Sequence, residues 1–229
     1  MAWRYIILGI LFSIHSIHST LLDDRIPCSR NTGLPIYATC VNLNELWVPI
    51  IEKAMAKLHG CYESLNSGFI DDALCDLTGF VAEKFNLHNS QNEFPNPSLG
   101  NPEMFWYRLK QYCESKCLMG CSISGGVEHY VKDEDGYPTG LLSGHAYGIM
   151  DVFELPRTDH PKGKKFSRLV RIRNPHGKTE WTGRWGDDSD EVEDLKKELD
   201  GYIQSLPEEE RYTPGENDGT FLMNFKDWR

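Results

Sequence analysis

The 229-residue chain is short of positive charge: 24 lysines and arginines stand against 34 aspartates and glutamates, a net charge of −10. A deficit of that size argues against nucleic acid as a partner, because such proteins carry a basic face to offset the phosphates. Internal repeats are absent, and after residue 20 no apolar run is long enough to span a bilayer. The seven cysteines, Cys28, Cys40, Cys61, Cys75, Cys113, Cys117 and Cys121, are odd in number. Those at 113, 117 and 121 are four apart, with no His-x-x-x-His after them. Neither a complete disulfide framework nor a zinc pattern is indicated, and reduced thiols of an intracellular, cytoplasmic protein fit best.

What is present suffices for a core: 40% apolar residues with 11% aromatic fit one packed domain of ordinary size. The first twenty residues stand apart. One arginine, Arg4, precedes a mostly apolar run from Tyr5 to Ile14, and Ser16 or Ser19 offers a small residue at a cleavage site. That is the layout of a secretory signal, which would make the protein secreted; the alternative is a gene-model artefact or a strand leading into Asp23-Asp24. Residues 21–229 are then the domain proper.

Apolar residues at 46, 47, 50, 51, 54, 55 and 58 have a helical period and predict a helix over Leu43–His59, with Asn42 or Asn44 capping it. Residues 86–102 hold Pro95, Pro97 and Pro102 and read as a loop, followed by a helix over Glu103–Glu114. Cys117–Ser124, Gly144–Glu154, Phe166–Asn174 and Gly219–Phe225 are strand-like, with turn-rich links over Lys132–Thr139 and Arg157–Lys165. Acidic residues crowd 187–194 and 208–210, and residues 190–210 read as helices with solvated faces. Helices first and strands later make an α+β fold.

Two runs set a polar side chain in an apolar strand: Ser143-Gly144-His145-Ala146-Tyr147 and Arg171-Ile172-Arg173-Asn174-Pro175. A His and an Asn so presented are two thirds of a Cys-His-Asn hydrolase site, the imidazole taking a thiol proton and the amide oxygen fixing its tautomer. A cysteine in a nucleophile setting is what the chain lacks. Such a thiol needs a lowered pKa and a place beside His145, whereas Cys61 and Cys121 read as core thiols and Cys113 and Cys117 straddle a helix end.

These runs resemble the histidine and asparagine motifs of the calpain family of cysteine endopeptidases. The likeness continues in Gly177 and Glu180-Trp181-Thr182-Gly183-Arg184-Trp185. It extends to Asp23-Asp24-Arg25-Ile26-Pro27, Leu46-Trp47 with Glu52-Lys53-Ala54, Gly60-Cys61-Tyr62-Glu63, Thr78-Gly79, Gly120-Cys121-Ser122-Ile123 and Asp218-Gly219-Thr220-Phe221, in the family's order. The resemblance implies a papain-like core, with part of the first lobe and a mostly antiparallel second lobe. Its nucleophile segment and oxyanion-hole Gln would precede Asp23-Asp24, a stretch this sequence reaches after twenty-two residues. It also implies a calcium-dependent protease acting on protein substrates, inactive as this chain alone, or else a pseudoprotease module that binds a substrate or a full-length relative. The implied calcium ligands are Glu180, Asp187, the carbonyl region at Glu216, and Asp218, with Glu63 from the first lobe. Thr220 replaces an acidic residue of the family pattern, removing one charge; the alternative is acidic side chains on a wet loop. His176 stands where the family carries a Trp that shields the His-Asn bond from water.

Overall fold

The computed structural model describes residues 5–10, 25–40, 42, 44–87, 101–125, 127–157 and 166–229. They fall into two compact units, Phe12–Phe80, and Met1–Leu11 joined with Val81–Arg229. Among the described residues no helix is long and apolar enough to cross a membrane.

The smaller unit is helical. Helix α1 spans Trp47–Leu58, starting later than its apolar spacing predicts. The Asn42 side chain accepts from Asn44 N and donates to Glu45, forming a local turn instead of a cap. Pro49 then sits in the first turn, where its missing N–H costs nothing. Helix α2, Ile70–Thr78, ends at Gly79, whose φ of 72° lets its N–H reach back to Cys75 O. His59, just past α1, meets Asp76 of α2 at 2.9 Å. Tyr37 stacks on Tyr62 with ring centroids 4.5 Å apart.

The larger unit is built on an antiparallel six-stranded sheet. Its strands are β1 (Tyr5–Ile10), β2 (Glu83–Asn86), β3 (Cys117–Ile123), β6 (His145–Pro156), β7 (Phe166–Arg173) and β8 (Thr220–Asn224), ordered β2-β1-β3-β6-β7-β8. A hairpin of β4 (His129–Lys132) and β5 (Pro138–Ser143) stands separately. Thus Tyr5–Ile10 of the signal-like run is paired as a strand, while Ser16, Ser19 and Asp23-Asp24 lie outside the described residues. So does most of the proline-bearing loop, whose first residue instead closes β2. The link read over 132–139 contains the β4–β5 turn and the start of β5.

Helix α3, Pro102–Glu114, matches expectation almost residue for residue because Asn101 caps it: its side chain accepts from Glu103 N and Met104 N, and Pro102 pre-sets the first turn. Phe105, Trp106 and Leu109 of α3 enter a core with Ile149, Val152, Val170, Ile172, Phe221 and Met223. Leu169 and Leu222, one residue out of step, join Phe153 and Leu155 in a second core. There they meet Leu195, beyond α4 (Asp190–Asp194), and Leu199 and Ile203 of α5 (Lys196–Ser205). Alternate strand residues thus serve different cores, which is why β6 and β7 read as nearly continuous apolar runs. A final turn, α6 (Phe225–Trp228), adds Phe225 and Trp228 to the first core.

The β6–β7 register shifts between Ile149 and Asp151. Asp151 is buried there and accepts from Val152 N at 2.8 Å, Tyr202 Oη at 2.6 Å and Cys113 Sγ at 3.4 Å. It thereby ties β6 to both α3 and α5. Asp151→Ala removes the acceptor of a part-buried hydroxyl and of a buried backbone N–H, so we expect urea denaturation to show a loss of about 2 kcal/mol. Asp151→Asn, which keeps an acceptor, is expected to lose less.

Candidate active site

Antiparallel pairing of β6 with β7 brings the start of one strand to the end of the other, the last pair being Gly148 with Arg173. His145 opens β6 and Asn174 succeeds β7, so residues 29 apart in sequence meet at one sheet end. His145 Nε2 lies 2.9 Å from Asn174 Oδ1. The orientation of the amide is set by its other partners. Oδ1 also accepts from His176 N at 3.0 Å, while Nδ2 donates to Lys178 O at 2.7 Å, Thr179 Oγ1 at 2.8 Å and Thr179 O at 3.1 Å. A flipped amide would confront donors with donors and carbonyls with a carbonyl. An acceptor facing Nε2 assigns the proton there, which leaves the Nδ1 lone pair available.

His145 is held from three sides. His176 stacks on its ring, centroids 4.5 Å apart and planes 19° from parallel. Tyr147 meets it edge-on at 4.8 Å, and the Tyr147 hydroxyl accepts from Leu142 N. Burial pushes that phenol up to about 12. Only 9% of the His145 side chain is exposed, against 48% for His176. His176 therefore covers the ring while itself remaining wet. The third neighbour is Glu128, absent from the residues picked out by sequence. One of its oxygens lies 3.4 Å from His145 Nδ1 and the other 3.2 Å from His176 Nε2.

A second polar cluster adjoins the first through one glycine. Gly219 O accepts from Asn174 N at 2.7 Å, and Gly219 N donates to Glu180 Oε1 at 2.7 Å. A Cβ at 219 would come 2.8 Å from Asn174 O, and φ is +85°, so glycine alone suits both contacts. Asp187 accepts from Gly215 N at 3.0 Å. Its carboxyl is pushed up to about 7, first by burial and then by the charge of Glu180 and a hydrogen bond with it, against the lowering effect of Gly215 N–H. Glu180 and Asp187 are thus a close carboxylate pair. Asp218 turns elsewhere, accepting from Thr220 N at 2.7 Å and lying 3.6 Å from Arg173 Nη1. Glu63 belongs to the helical unit, exposed in a 3-10 turn over Tyr62–Leu65.

A family model described as "Calpain family cysteine protease" matches residues 10–229. The chain belongs to the calpain family. It is 35% identical over 211 residues to "Calpain-type cysteine protease DEK1" of Arabidopsis thaliana, covering 91% of this chain and 8% of that protein. It is 32% identical over 210 residues to "Calpain-9" of Rattus norvegicus, covering 91% and 26%. The chain therefore spans about a quarter or less of the length of these calpains. The mixed helical and antiparallel architecture is that of a calpain protease core.

Three cysteines share the unit of His145. Cys121 is fully buried and burial raises its thiol; Cys117 is raised by burial as well. Cys113 is pushed up to about 11, by burial and then by the negative charge of Asp151. None has the lowered pKa that a nucleophilic thiol requires. Cys28, Cys40, Cys61 and Cys75 belong to the helical unit.

Proposed function

We propose that this chain carries the His-Asn half of a calpain-type Cys-His-Asn endopeptidase site acting on protein substrates. The observation that supports it is the 2.9 Å bond from His145 Nε2 to a fully buried, orientation-locked Asn174. A thiol presented to Nδ1 would give its proton to His145 and attack the peptide carbonyl; the imidazolium would then return that proton to the leaving amine. Asn174 would hold the ring plane throughout. The cysteines sharing its unit are raised rather than lowered, so the chain alone should be inactive, with its nucleophile supplied by another segment or a full-length relative. One feature favours a second reading, a pseudoprotease that binds substrate or partner: Glu128 faces the very nitrogen that a thiol would need.

Two measurements separate these readings. With the chain alone, an epoxysuccinyl thiol probe should label no cysteine faster than free thiol chemistry allows, and peptide hydrolysis should be absent; labelling that His145→Ala abolishes would overturn the inactivity. Sequencing the 5′ end of the capped transcript comes next. Continuous upstream coding sequence with a Cys at a helix start supports the protease, and a cap just ahead of Met1 supports the module.

Calcium is proposed on the same footing. Glu180 and Asp187, oriented by backbone N–H groups and crowded enough to disfavour a second negative charge, have the all-oxygen donor chemistry of a hard cation. Asp218 would join them only by leaving Arg173. When bound, the ion would neutralise the pair and thereby secure the Gly219 contact on which Asn174 rests. Millimolar calcium should raise Tm, and Asp187→Asn should abolish the rise. Without calcium, the raised Asp187 carboxyl keeps its proton in the folded chain at pH values where the unfolded chain has lost it. Its contribution to stability should therefore fall as pH rises from the ordinary carboxyl range through about 7, a trend that Asp187→Asn removes.

A further inference from the structure

Glu128 stands beside the nitrogen from which a leaving amine would take its proton. One of its oxygens is 3.4 Å from His145 Nδ1, the other 3.2 Å from His176 Nε2, and the side chain is 43% exposed. Backbone packing sets that position. His129, the next residue, opens β4 and pairs with Ser143 of β5, two residues ahead of His145. A Cβ on Gly144 would come within 3.2–3.3 Å of Gly125 O, Val127 C and Glu128 N, so the main chain bearing Glu128 rests on the residue before His145. The carboxylate also has no permanent counter-charge. Glu83, Glu103 and Glu210 each hold a lysine or arginine, whereas among the described residues Glu128 pairs with two imidazoles and with no lysine or arginine.

We infer that Glu128 selects protein substrates that carry lysine or arginine directly after the cleaved bond. The inference rests on the proposed protease reading, in which His145 passes its proton from Nδ1 to the leaving amine. That amine is the backbone nitrogen of the residue after the cleaved bond. When it comes within hydrogen-bond reach of Nδ1, its own side chain starts beside the Glu128 carboxylate, and a lysine or arginine stem is long enough to reach it. An acidic side chain there would meet a like charge, and an apolar one would leave Glu128 with the imidazoles. In the free chain His176 holds the carboxylate near Nδ1. A substrate cation draws it outward, so the group that stands in the thiol's way becomes the group that reads the substrate.

Peptide binding to the full chain tests this without proteolysis. The probes are lysyl-alanyl-alanine amide and its norleucyl counterpart, both with a free N-terminus; they mimic the leaving product and differ in side-chain charge. Followed by histidine-ring NMR at low salt, the lysyl peptide should bind about fivefold more tightly, the scale of one half-exposed ion pair. It should also move the His176 signals further, as the carboxylate leaves that ring. Added salt should narrow the difference. Glu128→Gln should erase it, with the Nε2 proton of His145 still bonded to Asn174 as the sign of a folded site, while Glu128→Asp, which keeps the charge, should retain part of it. The inference fails if the two peptides bind alike, if neither binds, or if Glu128→Gln keeps the preference. Failure of the protease reading would show elsewhere, in a transcript capped just ahead of Met1, and would leave the peptide preference measurable; a working protease indifferent to charge after the cleaved bond would sink this inference alone.

Discussion

Asn174→Ala is expected to lower stability by about 2–3 kcal/mol, a fall in Tm of about 6–10 °C for a domain of this size. The side chain is fully buried and joins five atoms: His145 Nε2, His176 N, Lys178 O, Thr179 O and Thr179 Oγ1. Alanine removes every one of them. Water can reach some of the released groups, because Lys178 is exposed, which holds the loss below the sum of five bonds. Asn174→Asp should not rescue it. The carboxylate keeps the acceptor for His145 and His176 N, but its second oxygen opposes the carbonyls of 178 and 179. Differential scanning calorimetry measures the loss, and NMR of the ring N–H reports the site: the slowly exchanging Nε2 proton of His145 should vanish in the alanine variant. A Tm within about 2 °C of the parent would mean that Asn174 is not the strut described here.

Gly140→Ala is expected to cost still more, about 3–4 kcal/mol. Two penalties combine. At φ +79° a side chain pays about 1 kcal/mol for the left-handed backbone, and its Cβ would come within 1.6 Å of Glu180 O, which no rotamer change relieves. The obstruction is a Cβ, fixed to the backbone, against a backbone carbonyl, so β5 or the 180–186 loop must shift. Either movement strains the bond from Thr182 N to Thr139 O and draws Glu180 off Gly219 N. Stability and the response to calcium should therefore be lost together. Gly136→Ala is the control: its φ is +86°, yet nothing lies within 4 Å of the added carbon. It should lose only the backbone penalty, about 1 kcal/mol. Equal denaturation midpoints for the two variants would remove the close approach of β5 to Glu180 from the explanation.

The pattern of loss in these variants follows from how each contact is specified. Helix α3 was legible because its start is local chemistry, an Asn cap and a Pro in the first turn. Strands β3, β6, β7 and β8 were legible because burial on both faces leaves unbroken apolar runs. Helix α1 was legible in its body but not at its start, where Asn42 could equally cap a helix or close a turn, and its contacts with Asn44 and Glu45 decided the matter. Strands β1 and β2 and the β4–β5 hairpin are short, and their pairing depends on neighbours that no local period announces.

The same division runs through the site. The sequence by itself determined the family, the α+β class and the candidacy of His145 and Asn174, since each stands out against an apolar strand within a few residues of itself. Only the tertiary fold decided that those two side chains meet, that His176 stacks on the imidazole, and that Glu128, 48 residues before His176, comes to lie against both rings. A glutamate in a polar loop has no signature, so nothing in the order of residues marks it. Likewise Glu180 and Asp187 stand seven positions apart, but burial and proximity together, not spacing, push the carboxyl of Asp187 upward. Local backbone geometry writes its periodicity into the chain, whereas electrostatics between distant side chains exists only once the sheet has set the distances.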